Sequence, residues 1–295
     1  MIFMIKKVVE DFISRVSGLK VLVIGETIID KFVYVKYEGP SMKSACQVLK
    51  LDLSRKEEVQ EGGAAAIAGH LRDFVAKVDL VTNTGGEIVK TRYIESFDRK
   101  KHVEINRFDT EGFKDLEPDT SGYDVVIVAD FGHGFCRLPG IKDGFHLMCQ
   151  TNSNNFGYNR ISKWKHQRKK SVCLDLREAG LQMNKSIIPS DDNDINKLFN
   201  YEINSENLFM TTGAEGALFT DGTKVIRQRS FPSTIVDTIG AGDTFYAFSC
   251  LLASAEGKIR DLTVPALAAS LSTTWLCNER SVTKETLLAH AAQFV

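Results

Sequence analysis

Short runs of consecutive apolar residues recur along this chain. Each is cut off by a glycine or a polar residue. Most are followed by a stretch whose apolar positions lie three and four apart. Residues 20–25 (K-V-L-V-I-G) make the first such run; 78–82, 123–129, 172–176 and 208–212 repeat it, and 123–129 (Y-D-V-V-I-V-A) is the clearest. Runs this short, without alternation, are the pattern of strands buried on both faces. Helical spacing marks residues 2–16, ended by Gly18, and then 64–76, 243–255, 264–276 and 283–294. Strand and helix in alternation predict an α/β fold: a parallel sheet, right-handed crossovers and helices on both faces.

Two stretches break the alternation. Residues 31–36 and 45–53 have period-two character and follow the first core strand with no helix between, and 92–107 reads as another such pair. They predict a small sheet projecting from the main one. It would serve as a lid, because ligands in open α/β sheets bind beyond the carboxyl ends of the strands. With only 6 prolines and no internal repeat, no linker divides the chain, and one domain over residues 1–295 is expected, with lid strands at about 31–53 and 91–108.

Composition narrows the classes. Hydrophobic residues at 43% and charged residues at 25% are those of a water-soluble globular protein. Lys plus Arg (37) against Asp plus Glu (38) leaves a net charge of −1, which argues against a broad nucleic-acid footprint. No apolar run approaches the ~20 residues of a membrane span. The apolar start is broken by Lys6 and Lys7, so no signal peptide is expected. Six cysteines without a C-x-x-C pair fit reduced thiols in a cytoplasm better than disulfides or zinc. His70, His102, His133, His146, His166 and His290 show no metal-ligand spacing and read as structural or surface residues. The basic run 163–170 (K-W-K-H-Q-R-K-K) reads as a solvated helix end.

The strongest chemical signal is 236–245, V-D-T-I-G-A-G-D-T-F. A turn of small residues meets a helix start. Gly240 and Gly242 permit close approach of the backbone, and free N–H groups backed by the helix dipole suit an anion such as a transferring phosphoryl group. Asp243 stands where a carboxylate could take the proton of an attacking hydroxyl. Taken alone, a G-x-G-D is also an ordinary helix cap. The phosphate loop G-x-x-x-x-G-K-[ST] is absent, which argues against that class of kinases and ATPases.

The string D-T-I-G-A-G-D-T-F resembles the carboxyl-terminal motif of the ribokinase-like carbohydrate kinases, the phosphofructokinase-B family. The resemblance implies a three-layer α/β/α fold with a small β lid, and ATP-dependent phosphoryl transfer to a sugar or sugar-phosphate hydroxyl. It implies Asp243 as catalytic base and the Gly240, Ala241 and Gly242 amides as the anion hole. It further implies Asp237, with the Ile239 carbonyl, as the holder of a monovalent cation such as K⁺.

Other segments match in the same order. In G-E-T-I-I-D, Asp30 takes the place of the acid that grips sugar hydroxyls, and Gly62 and Gly63 that of the glycines on which the sugar packs. In T-T-G-A-E-G-A-L-F-T-D-G, Thr212, Gly213 and Gly216 would border the nucleotide, and Asn278, after Cys277, the adenine. D-L-R-E takes the place of the family's N-x-x-E, with Glu178 supporting Mg²⁺ through water. Asp175 replaces the usual Asn.

Within the family the likeness is to the kinase domain of heptose-phosphate kinases, carried by 129–135 (A-D-F-G-H-G-F) and 150–159 (Q-T-N-S-N-N-F-G-Y-N). An acceptor already bearing phosphate is therefore expected, with Arg92, Arg160 and Lys163 as its cationic candidates. No H-x-G-H motif is present, so kinase chemistry without nucleotidylyl transfer is expected. The lid strands suggest a homodimer. A nucleoside or vitamin kinase on the same fold, or a non-catalytic sugar- or nucleotide-binding relative, are the alternatives. One departure stands out: 84–87 (T-G-G-E) runs almost directly into 89–93, where the family usually has a further helix and strand.

Overall fold

A computed structural model describes residues 2–114, 118–136, 141, 143–151, 159–201 and 203–294. In chain order its elements are α1 (Ile2–Val16), β1 (Lys20–Gly25), β2 (Thr27–Pro40), β3 (Gln47–Leu51), β4 (Glu58–Gly63), α2 (Ala64–Leu71), β5 (Lys77–Thr82), β6 (Glu87–Glu95) and β7 (Lys101–Asp109). Then come β8 (Val125–Asp130), β9 (Phe145–Cys149), β10 (Lys169–Asp175), α3 (Leu176–Met183), α4 (Asp192–Asn200), β11 (Leu208–Thr211), β12 (Ala217–Thr220), β13 (Val225–Gln228), α5 (Ala241–Ala255), α6 (Thr263–Ser272) and α7 (Lys284–Ala291).

The main sheet runs β13-β12-β11-β10-β9-β8-β1-β5. Its strands from β11 to β5 are parallel, and β12 and β13 turn antiparallel at one edge. Alternate residues of each strand feed opposite cores. Val21, Val23, Ile127 and Ala129 join α1, α2, α5, α6 and α7 on one face; Leu22, Ile24 and Val128 join α3, α4 and the short turn 161–164 on the other. Both faces are covered, and that is why these strands carry consecutive apolar residues.

The second sheet runs β3-β2-β6-β7, with β4 paired to β2. It is larger than the period-two stretches suggested. β2 begins at Thr27, directly after β1, and β4 and the start of β6 belong to it. No helix lies between β5 and β6: the turn 83–86 leads straight from the edge of the main sheet into the small one.

Several boundaries differ from the periodicity. The helix expected over 64–76 stops at Leu71, and that over 264–276 stops at Ser272, where the Thr273 and Thr274 hydroxyls bond back to Ser270 O and Leu271 O. Such back-bonding competes with the helical ladder. The basic run is not a solvated helix end. Lys169 opens β10 fully buried, its ammonium donating to Trp164 O and Gln167 O at 2.7 Å each, and Lys163 forms an ion pair with buried Asp130. Residues 152–158 of the Q-T-N-S-N-N-F-G-Y-N segment lie outside the described residues.

Candidate active site

Helix α5 begins at Ala241 with Gly240 as its N-cap, and Gly240 has φ 86° and offers no side-chain cap. A β-carbon there would come within 2.8 Å of Asn278 Oδ1, so both conformation and space call for glycine. The Ala241 N–H closes onto Thr238 O at 3.3 Å. Among the described residues the amides of Gly240, Gly242 and Asp243 have no protein acceptor and are the ones open to an anion. The turn is propped from behind. Buried His70 accepts the Val282 N–H at Nδ1 (3.0 Å), so its hydrogen sits on Nε2 and points to Thr244 Oγ1 (3.0 Å), which in turn donates to Gly240 O (3.0 Å). Burial keeps this imidazole neutral, its pKa pushed down to about 4.

Asp243 sits in the first turn of α5 and is buried. Burial lifts its carboxyl from the usual 3.8 to about 7; the charge of Asp30 adds to the lift and that of Lys90 opposes it. A carboxylate poised near neutral pH is suited to proton abstraction.

Opposite stands the inner face of the second sheet. Register places Asp30 beside Gln60 of β4 and Lys90 of β6, Ile28 beside Gly62, Lys90 beside Asn106 of β7, and Arg92 beside Glu104. Buried Asp30 forms an ion pair with buried Arg92, and Arg92 Nε donates to Glu104 Oε2 at 2.8 Å. Arg92 is thus engaged by two carboxylates. It is not the unpaired cation expected for an acceptor phosphate, and Lys163, held by Asp130, is not either. Lys90, mostly buried, has no ion pair among the described residues; burial lowers its pKa against the pull of Asp30 and Glu104.

Gly62 and Gly63 occupy the end of β4. A β-carbon on Gly62 would meet Asp30 Oδ2 at 2.5 Å and Asn278 Nδ2 at 2.9 Å; Gly63 has φ 63° and packs against Glu26 O. Asn278, expected on the nucleotide side, also meets this face. It donates to Asp30 Oδ2 (3.3 Å), its N–H bonds Gln60 Oε1 (2.8 Å), and its Oδ1 faces Gly240. It therefore joins the Asp30 side to the anion turn.

Four buried polar atoms around this face have no hydrogen-bond partner among the described residues: Gln60 Nε2, Asn106 Oδ1, Asn278 Oδ1 and His133 Nε2. Buried polar atoms are rarely left unpaired, so a cluster of them marks the place of a polar ligand. His133 reaches the face from residues 131–135, whose Phe131, His133 and Phe135 amides all donate to buried Glu26 at 2.7–3.2 Å. Burial and then Asp130 lift Glu26 to about 7.

At the far side, Thr212 follows β11 and caps a short 3₁₀ turn over Gly213–Glu215, with the Thr212 N–H on Gly216 O at 2.8 Å and Gly216 at φ 115°. Asp175 caps α3, and the buried Glu178 closes the reciprocal cap, accepting Asp175 N–H and Thr151 N–H at 2.8 Å each. Burial, then the charge of Asp175, lift Glu178 to about 8, and Asp243 adds to it. The charges of Asp175 and Asp243 that add to the lift on Glu178 would be relieved by a hydrated divalent cation, so Glu178 fits Mg²⁺ held through water. Asp237 is engaged on one side: its Oδ1 accepts the Lys101 ammonium at 2.6 Å and the Ile239 N–H at 3.2 Å, while its buried Oδ2 has no partner among the described residues.

Sequence reasoning missed Gln60, Lys90, Lys101, Asn106 and Glu26. The signal was the alternation in β6 and β7, which puts charged and amide side chains on the same face as Asp30.

Residues 149–264 match the pfkB family carbohydrate kinase profile. The "Bifunctional protein HldE" of Nitratiruptor sp. is 23% identical over 305 residues, covering 86% of this chain, and the chain spans only 60% of that relative's length. The structure of a ribokinase from Agrobacterium tumefaciens, itself described as putative, superposes with a TM-score of 0.66 at 14% identity, covering 94% of this chain and 98% of that one. That of Arabidopsis thaliana ribokinase, complexed with ribose and ATP, superposes with 0.60 at 15%, covering 94% and 100%. Residues 149–264 of this chain are thus similar to the pfkB family carbohydrate kinases, and the chain has the fold of the ribokinase structures.

Proposed function

We propose that this chain transfers the γ-phosphoryl group of ATP to a hydroxyl of a sugar or sugar phosphate, as one kinase unit whose second sheet is the lid. The observation that carries this reading is the ring of unpartnered buried polar atoms around Asp30, facing a carboxyl poised near neutral pH at the open end of α5. A hydroxyl-rich acceptor supplies both donors and acceptors to Gln60, Asn106, Asn278 and His133, and Asp30 takes its hydroxyl hydrogens. Arg92 pairs with Asp30 and holds it in place. Asp243 takes the proton of the attacking hydroxyl, and the free amides of Gly240 and Gly242 receive the charge that builds on the moving phosphoryl group. Thr212, Gly213 and Gly216 shape the nucleotide side. Mg²⁺, which neutralises nucleotide phosphate charge when bound, would be held through water by Glu178 and Asp175. Phosphoryl transfer rests on positioning and electrostatics, and these are what the site offers.

The likeness to HldE and the bound ribose and ATP of the Arabidopsis neighbour support a carbohydrate acceptor. Lys90 is the residue on this face suited to an acceptor phosphate. ADP release measured across free and phosphorylated hexoses and heptoses, pentoses and nucleosides, with ³¹P NMR of the product, tests the reading. A new phosphomonoester with a sugar acceptor is expected. ATP binding with no acceptor-dependent ADP release would overturn it.

The outer face of the lid sheet exposes Val59, Val103 and Ile105. We read this face as the contact of a homodimer, since an exposed apolar sheet invites pairing. Light scattering at micromolar concentration should give twice the chain mass, and Ile105→Lys should halve it; a monomeric wild type would refute the contact. No helix of the described residues is long and apolar enough to cross a membrane. Five of the six free thiols are buried, and a reducing cytoplasm suits them.

A further inference from the structure

The turn that forms the open end of α5 is closed one residue earlier by Asp237. Its Oδ1 accepts the N–H of Ile239, and the Val236 and Asp237 amides both donate to Thr273 O. Asp237 is buried, with 7% of its surface exposed. A lone buried carboxylate here would be costly, and its charge must be met. The resemblance implies that a monovalent cation meets it. The donor set does not fit one. Asp237 Oδ1 already holds the ammonium of Lys101, which reaches it from the first residue of β7, 136 residues away in sequence, at 2.6 Å. Among the described residues no second carboxylate pairs with Lys101 and no other ion pair reaches Asp237, so an added alkali ion would leave two cations sharing one anion. The buried second oxygen, Oδ2, has no hydrogen-bond partner among the described residues, but it lies on the same carboxylate, whose single charge Lys101 meets.

We infer that the Lys101 ammonium takes the place of a monovalent cation at Asp237, so that a strand of the small sheet supplies the charge that holds the anion-binding turn. Lys101 is a positioning residue. It acts through Asp237 on Ile239 and Gly240, and it links the sheet bearing Asp30 to the turn bearing Asp243. An ammonium on a tether is present at every turnover and leaves the chain indifferent to alkali ions. The same link means that the turn reaches its full order only when the small sheet lies against it.

The effect on turnover rests on the kinase reading; the effect on stability does not, and the test reads both. Wild-type protein should melt at the same temperature in potassium chloride as in tetramethylammonium chloride of equal ionic strength, and its kcat should not change between them. Lys101→Met should melt lower and lose roughly ten- to a hundredfold in kcat without potassium, the worth of one charge-assisted hydrogen bond. Potassium, or ammonium, should restore both. Lys101→Arg should stay folded and insensitive to the ion. A wild type stimulated or stabilised by potassium overturns the inference. So does a Lys101→Met variant that matches wild type without potassium, or one whose loss no cation repairs. If no acceptor is ever phosphorylated, the melting comparison alone still decides.

Discussion

Asp243→Asn should abolish most turnover while making the protein more stable at pH 8. The kinetic half follows from the role of the carboxylate: Asn keeps the shape and can still sit in the first turn of α5, but it cannot take a proton. A loss of ~10²–10⁴ in kcat with ATP affinity retained is the expected share of a general base. The stability half follows from linkage. The folded carboxyl has its pKa raised from 3.8 to about 7, chiefly by burial and then by Asp30. A raised acid binds its proton more tightly in the folded state, so wild-type stability falls as pH rises from about 4 to about 7. Above that window the full penalty is present. It amounts to at most roughly 4 kcal/mol, and the dipole of α5 reduces it. Removing the charge should therefore stabilise the variant at pH 8 and leave stability almost unchanged near pH 4. Denaturant unfolding at the two pH values measures it. The wild-type kcat/KM should rise with pH and level off above about 7, since the base must be ionised. Wild-type turnover in Asp243→Asn, or a pH profile flat from acid to alkaline, would remove Asp243 from the mechanism.

Arg92→Leu should cost stability and acceptor use together, without preference for phosphorylated acceptors. The substitution strands Asp30, which is 4% exposed, and removes a partner from Glu104. Breaking one side of a buried ion pair costs about 3–5 kcal/mol, because the remaining charge is left in a poorly solvating site. Unpaired Asp30 is then expected to lose its fixed position and with it its grip on hydroxyl hydrogens. The KM for every acceptor should rise together, by a similar factor for free and phosphorylated sugars, while ATP affinity changes little. If phosphorylated acceptors alone suffer, Arg92 contacts their phosphate directly and its pairing with Asp30 is secondary. The double variant Asp30→Asn with Arg92→Leu, which removes both charges, should recover part of the lost stability and none of the activity; such recovery separates the unpaired charge from simple loss of packing.

The main sheet was legible because it is buried on both faces: runs such as 20–25 and 123–129 have no reading except core strand. Those were the strands found. β9 was not, since F-H-L-M-C carries a histidine whose burial rests on Ser171 and Ser254, residues distant in sequence. α3 and α4 were missed too; α4, D-N-D-I-N-K-L-F-N, is mostly polar and shows its apolar stripe only against the sheet. Asp243, Gly240 and Gly242 were legible for a local reason: a helix start with a positive-φ glycine and its acid is built from neighbours in sequence.

What the chain order could not tell is which charges meet. Arg92 and Lys163 read as free cations because their partners, Asp30 and Asp130, lie 62 and 33 positions away along the chain. That Asn278 stands between Asp30 and Gly240 was not visible either. Nor was the pairing of Asp237 with Lys101 of β7. The sequence by itself determined the layered α/β fold, the glycine turn at the start of α5 and its acid, because period and local turn chemistry act over a few residues. Only the tertiary structure decided the state of each buried charge, because the Coulomb energy of a buried ion depends on whatever the fold brings within a few ångströms, at any distance along the chain.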